Sequence, residues 1–268
     1  MPRQRQAVDA IAKLLADPDA AIARSAARAL GQIGSPEAAK ALEGALAGAP
    51  AANQVDFCEG LFRCAESLSA QGQDAASQAI YDRLRGLPQA AHQIRAGALR
   101  GAILARQKEG IPLMIEAIRG ADYVLTAAAA RIAMEMPGAD VTAALAGQLP
   151  KLPVDKQILL ANTLGYRGDA TAGPALLALA SEGDPAVRLA AVRNVTHLGY
   201  APALPLLAEL SLKGEGDLAA AARDCLANFP GKDADATIAA MLSHQDVKVR
   251  SLAIEMIGQR NVAGSAAS

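Results

Sequence analysis

The sequence predicts an all-α fold, an α-solenoid (superhelix) of stacked antiparallel helix pairs. Three observations carry this. A helical stretch rich in small residues, a short turn and a second apolar helical stretch recur eight times along the 268 residues. Apolar residues fall at helical spacing, as in Leu176, Leu177 and Leu179 or Ala253, Ile254 and Ile257. No segment shows the apolar–polar alternation and β-branched enrichment of a strand.

The copies are anchored on the first-helix position that Val187 fills. The equivalents are Ile22, Val55, Ile94, Val124, Lys156, Val187, Ala221 and Val249, spaced 33, 39, 30, 32, 31, 34 and 28 residues apart. The chain opens at residues 6–16 with what reads as a second helix lacking a first. Leu30-Gly31 closes the next first helix, Gly31-Gln32-Ile33-Gly34 forms the turn, and Ser35 caps the second helix. Glycine takes the left-handed conformation that ends a helix, which gives its recurrence a backbone cause. The stretch 51–87 fits least well. Ile111-Pro112-Leu113, Gly173-Pro174-Ala175 and Leu204-Pro205-Leu206 share one second-helix register, with Lys40 in the earlier copy. Proline is tolerated in a first helical turn, where its missing N–H had no partner.

Leu164-Gly165, the turn to Gly168 and the cap Asp169 repeat the pattern. The clearest copy runs Asp184-Pro185-Ala186-Val187-Arg188-Leu189-Ala190-Ala191 and ends at Leu198-Gly199. Asp233 caps a later second helix. Val249 to Gly258 is a first helix, and Asn261-Val262-Ala263-Gly264-Ser265 begins another. Arrays carry polar caps on their terminal repeats, so half-repeats at both ends predict a segment of a longer protein.

Hydrophobic residues make up 52% of the chain, aromatics only 3%, and there is no Trp. Much of the apolar content is Ala, which lets helices approach closely and suits stacked pairs better than a thick globular core. The expectation is a single continuous array over residues 1–268.

The Asp184–Ala191 pattern resembles a HEAT-like repeat of the short bacterial kind also found in phycobilisome lyase subunits. Arg95, Arg188 and Arg250 match the Arg position of that pattern; Ala23, Leu125, Gln157 and Ala222 depart from it. The resemblance implies that this Arg bonds an inter-repeat Asp and stitches neighbours together, with Asp184 a candidate partner for Arg188.

Charge and local motifs exclude several functions. Lys and Arg number 26 against 27 Asp and Glu, a formal net charge of −1, without the basic face of a nucleic-acid binder. No stretch is apolar for the length of a membrane span, and Asp9 and Lys13 interrupt any signal-peptide core. Cys58, Cys64 and Cys225 are too few and badly spaced for structural zinc. Cys58 and Cys64 lie six apart, about 240° around a helix, and read as packing residues. Their odd number fits a reducing compartment, though an export route for a parent protein stays open. His92, His197 and His244 are scattered, and none precedes Glu. That departs from the repeated His-Glu pairs of the di-iron hydroxylases that share this architecture. No Gly-rich phosphate loop or nucleophile motif occurs.

The sequence therefore predicts a non-catalytic scaffold without cofactor or metal, binding a protein or extended peptide along the concave face lined by second helices. A lyase- or chaperone-like assistant to cofactor attachment and a structural spacer are the alternatives. Three and four residues beyond the proline register stand Glu43, Tyr81, Asp82, Glu116 and Glu209, with Arg85 and Arg119 next; Glu43, Tyr81, Asp82, Glu116, Arg119 and Glu209 are the candidate contacts. The turn edge offers Tyr166, Arg167, Tyr200, Gln259 and Arg260 as a rival surface. The apolar ends of the segment predict end-to-end self-association.

Overall fold

A computed structural model describes residues 2–88 and 90–260. Sixteen α-helices alternate among them: α1 (Pro2–Lys13), α2 (Ala20–Ile33), α3 (Pro36–Leu46), α4 (Ala51–Ala70), α5 (Asp74–Arg85), α6 (His92–Leu104), α7 (Ile111–Arg119), α8 (Tyr123–Glu135), α9 (Ala139–Ala146), α10 (Val154–Arg167), α11 (Gly173–Glu182), α12 (Pro185–His197), α13 (Leu204–Lys213), α14 (Gly216–Ala227), α15 (Lys232–Met241) and α16 (Val247–Arg260). No strand occurs among the described residues. Each of the eight sequence anchors lies in an even-numbered helix, so first and second helices alternate as expected. The helix expected to begin at Asn261 lies outside the described residues.

The repeat is more regular than the sequence suggested. The even-numbered helices follow N-cap positions 19, 50, 91, 122, 153, 184, 215 and 246. Successive starts are 31 residues apart throughout, except for 41 between 50 and 91, where α4 runs for 20 residues. The true equivalents of Val187 are accordingly Asn53, Leu125 and Leu218, not Val55, Val124 and Ala221. Val124 is 46% exposed. The apolar residue was the wrong landmark, because the cap fixes where the helix starts. Four caps are aspartates whose Oδ1 accepts the N–H two residues on: Asp19 from Ala21, Asp122 from Val124, Asp184 from Ala186 and Asp246 from Lys248 (2.8–3.0 Å).

Helix ends correct two further expectations. The helix continues through Gly31 and Gly165 and stops at Gly34 and Gly168, both in the left-handed region (φ 61° and 67°). Gly31 serves packing instead: a Cβ there would lie 2.9 Å from Gly60 Cα, so α2 and α4 meet nearly backbone to backbone. Ser35 caps α3 as expected (3.2 Å to Ala38 N), and Asp169 caps the 3-10 turn before α11. Asp233 lies within the first turn of α15, behind the N-cap Gly231. Pro112, Pro174 and Pro205 all take the first turn of their helices.

Two compact units divide the chain, Met1–Ile132 and Ala133–Ser268. In the first, α4 packs against α2, α3, α5 and α6, and its Phe57, Cys58, Leu61, Cys64 and Leu68 join Leu30, Leu42 and Leu84 in the core. A helix packed on several sides buries both cysteines although they do not share a face. In the second, α12 packs against α10, α11 and α14. Val192, Leu204, Leu207, Leu226, Phe229, Ile238 and Met256 fill its core.

Side chains stitch the repeats in two ways. Four residues past the cap, a donor reaches a carbonyl at the end of the preceding second helix or in the turn that follows it. Arg188 donates to Ala180 O (3.0 Å), Gln157 to Leu149 O (2.9 Å), Thr126 to Ala117 O (3.1 Å) and Arg250 to His244 O (2.7 Å). Arg188 thus bonds a carbonyl, not Asp184, and Gln157 performs the same task without a charge. Arg95 alone shows the expected bond to an inter-repeat aspartate, Asp122.

The second stitch was missed. Arg167 and Arg260 stand fourteen residues past caps 153 and 246 and reach back into the preceding repeat. Arg167 donates to the carbonyls of Ala133, Met136 (2.9 Å) and Gly138 (3.1 Å) and to Thr142 Oγ1 (3.0 Å). Arg260 donates to Leu226 O (3.0 Å), Phe229 O (2.7 Å), Gly231 O (3.4 Å) and the Asp235 carboxylate (2.7 Å). The two sets are equivalent residue for residue. Both serve a first helix that ends in a Pro-Gly turn, Pro137-Gly138 or Pro230-Gly231. Neither arginine is the exposed turn residue the sequence suggested.

Candidate partner-binding site

The six sequence candidates do not form one patch. Tyr81 is buried: its ring lies over Gly101, with Phe62 stacked at 6.2 Å. Burial, reinforced by Glu66 and opposed by Arg100, pushes its phenol above the ordinary range. The helix period placed it one residue too far toward the surface, because the glycine at 101 opens room that a larger residue would close. Glu43 pairs with Arg83, and Asp82 with Arg106 and, at 3.6 Å, Arg85, so both carboxylates are engaged between neighbouring elements. Glu209 lies in the other unit and forms an i,i+4 pair with Lys213 at 3.2 Å, an ordinary solvated helix face.

Glu116 and Arg119, both on α7, do share a surface. With Ile111, Pro112, Ile115 and Gly120 they line a shallow depression of about 590 Å³. Glu116 and Gly120 also border a deeper cleft of about 430 Å³, so the two adjoin across α7. The cleft runs between the α5 end, α6 and the start of α8. Leu87, Leu99, Leu113 and Leu125 supply its apolar wall, and Arg85, Arg95, Glu116 and Asp122 its charges. Arg95 is half-buried, held by Asp122, and its Nε has no partner. Asp122 spends one oxygen capping α8 and the other on Arg95. The arrangement offers apolar surface framed by fixed charges of both signs. Sequence reasoning named Arg95 for its repeat position and Glu116 and Arg119 as candidate contacts; it did not name Asp122, whose pairing with Arg95 beside Glu116 follows only once the 31-residue register is fixed.

The turn edge is not a continuous surface. Tyr166 is 70% exposed and meets His197 edge-on at 5.7 Å, whereas the Tyr200 ring packs over Gly173. The three cysteines are buried and free, and burial pushes the Cys58 and Cys64 thiols up to about 11. Among the described residues no three His, Cys, Asp or Glu side chains converge as metal ligands, and no helix is long and apolar enough to cross a membrane.

A search of the curated proteins found no match. Among solved structures, the chain is similar to Escherichia coli YibA at 14% identity and a TM-score of 0.46, covering 93% of this chain and 92% of that one. It is similar to human deoxyhypusine hydroxylase at 17% identity and 0.35, over 96% and 97%, and to an engineered protein at 18% and 0.27, over 95% and 96%. The family model described as HEAT repeats matches residues 2–53 and 152–227. The stretch between them holds all but the first few residues of the lengthened 41-residue interval. Helix pairs in a fixed register, stitched from repeat to repeat, agree with this match, which places HEAT repeats in those two regions of the chain.

Proposed function

We propose that the protein is a non-catalytic scaffold that holds a polypeptide partner over α7, with Glu116 and Arg119 as its charged contacts. The observation that carries this reading is the cleft and adjoining depression that meet at Glu116 and Gly120. Apolar wall supplies contact area, and fixed charges at the rim select orientation and partner. Helical-repeat arrays lend themselves to such surfaces, because each repeat adds another helix face to the same side. The non-catalytic part of the proposal rests on the sequence, which has neither paired His-Glu motifs nor a nucleophile constellation.

A photo-crosslinking residue placed at Ile115 in the source cells tests it. The expected result is one dominant crosslinked polypeptide, lost when Glu116→Arg is added and retained with Glu209→Arg. Crosslinks that ignore Glu116→Arg, or a Glu209→Arg variant equally impaired, would contradict it.

A further inference from the structure

The boundary between the first two full repeats holds another cleft, whose floor is polar at a register position that is apolar in every other copy except the one with Lys156. Three residues past the caps stand Ile22, Asn53, Ile94, Leu125, Lys156, Val187, Leu218 and Val249. Asn53 is only 2% exposed, and its Oδ1 has no hydrogen-bond partner. An unpaired buried acceptor keeps the whole cost of its lost hydration. Together with Leu15, Asp17, Ala45, Gly44 and Gly48, Asn53 lines a cleft of about 440 Å³.

The two glycines lack an internal reason. Gly44 lies inside α3, where glycine is less favourable than alanine. Neither Gly44 nor Gly48 has a positive φ, and a Cβ on either would meet nothing within 4 Å. The fold needs neither for a turn or for packing. Bare backbone beside open space suits the close approach of another backbone.

We propose that this cleft binds an extended peptide whose main chain passes over Gly44 and Gly48, donates one N–H to Asn53 Oδ1 and seats a small aliphatic side chain beside Leu15 and Ala45. The inference deepens the scaffold reading and rests on it, but uses none of the residues over α7. A backbone donor satisfies the orphan oxygen, and a chain without bulky side chains fits a wall built from glycine and alanine.

The test selects peptides from a phage-displayed random library on the whole chain and titrates them by fluorescence polarisation. Gly44→Leu, and N-methylation of the donating peptide amide, should each weaken binding at least about tenfold. Asn53→Leu should also weaken it while raising the melting temperature, a combination that a merely structural asparagine would not give. Gly44→Ala checks that α3 tolerates a side chain and should melt no lower than the parent. Peptides weakened by Glu116→Arg but indifferent to Gly44→Leu would overturn this inference and leave the α7 reading standing. Peptides indifferent to all these changes would overturn it as well, and a selection that yields no peptide would overturn both.

Discussion

Single side chains satisfy helix ends that the backbone leaves open, and they set the sharpest expectations. One Arg167 guanidinium serves the carbonyls of Ala133, Met136 and Gly138, while Arg188 serves Ala180 through one bond. Burial lowers the Arg167 pKa from its ordinary value, with Asp169 opposing, as expected of a half-enclosed cation. Hydrogen bonds to a charged group contribute about 1.5–3 kcal/mol. Arg167→Ala should therefore cost about 3 kcal/mol and Arg188→Ala about 1.5, the two ends of that range, read from urea midpoints at constant slope; the reverse order would refute the stitch. The thiols set a pH expectation. Cys58 and Cys64 have folded pKa values of about 11 against 9.0, so the folded state holds protons that the unfolded chain releases. Their contribution is complete below pH 9 and is lost as pH rises toward 11. Stability should decline across that window, and less steeply in the Cys58→Ala/Cys64→Ala variant. Identical pH profiles would contradict the burial assignment.

Elements were legible to the extent that their cause was local. Helix alternation, the proline first turns and the Ser35 cap follow from neighbours a few residues apart, and the sequence predicts them. Positions set by a facing helix were not legible. Tyr81 looks like a surface residue until Gly101 is placed under it, and Arg167 looks like a turn residue until the carbonyls of the preceding repeat are. The same limit hid the candidate site: Arg95 and Glu116 lie on two helices and Asp122 caps a third, and only the α7 pair Glu116 and Arg119 could be picked from spacing. The α2–α4 contact carries the element-scale prediction. A Cβ on Gly60 would lie 2.8 Å from Ala27 O and 3.0 Å from Leu42 Cδ1. A backbone oxygen cannot step aside, so Gly60→Ala should cost about 1–3 kcal/mol despite its gain in helix propensity. An unchanged or raised melting temperature would mean that the two helices do not pack this closely.

For the molecule as a whole, the central claim is the register: caps 31 residues apart, with one interval of 41. Where each repeat contacts chiefly its neighbours, a whole repeat can be removed without disturbing the logic of the rest. Deleting residues 185–215 joins the Asp184 cap directly to α14 and keeps every later element in phase. Deleting residues 185–211 removes nearly as much chain but starts the next helix out of phase with the stitches behind it. Circular dichroism with thermal unfolding of both variants tests the claim most directly. The in-register deletion should keep the helical signal per residue and a cooperative transition, and the out-of-register deletion should lose cooperativity. Equal behaviour of the two would contradict the 31-residue register.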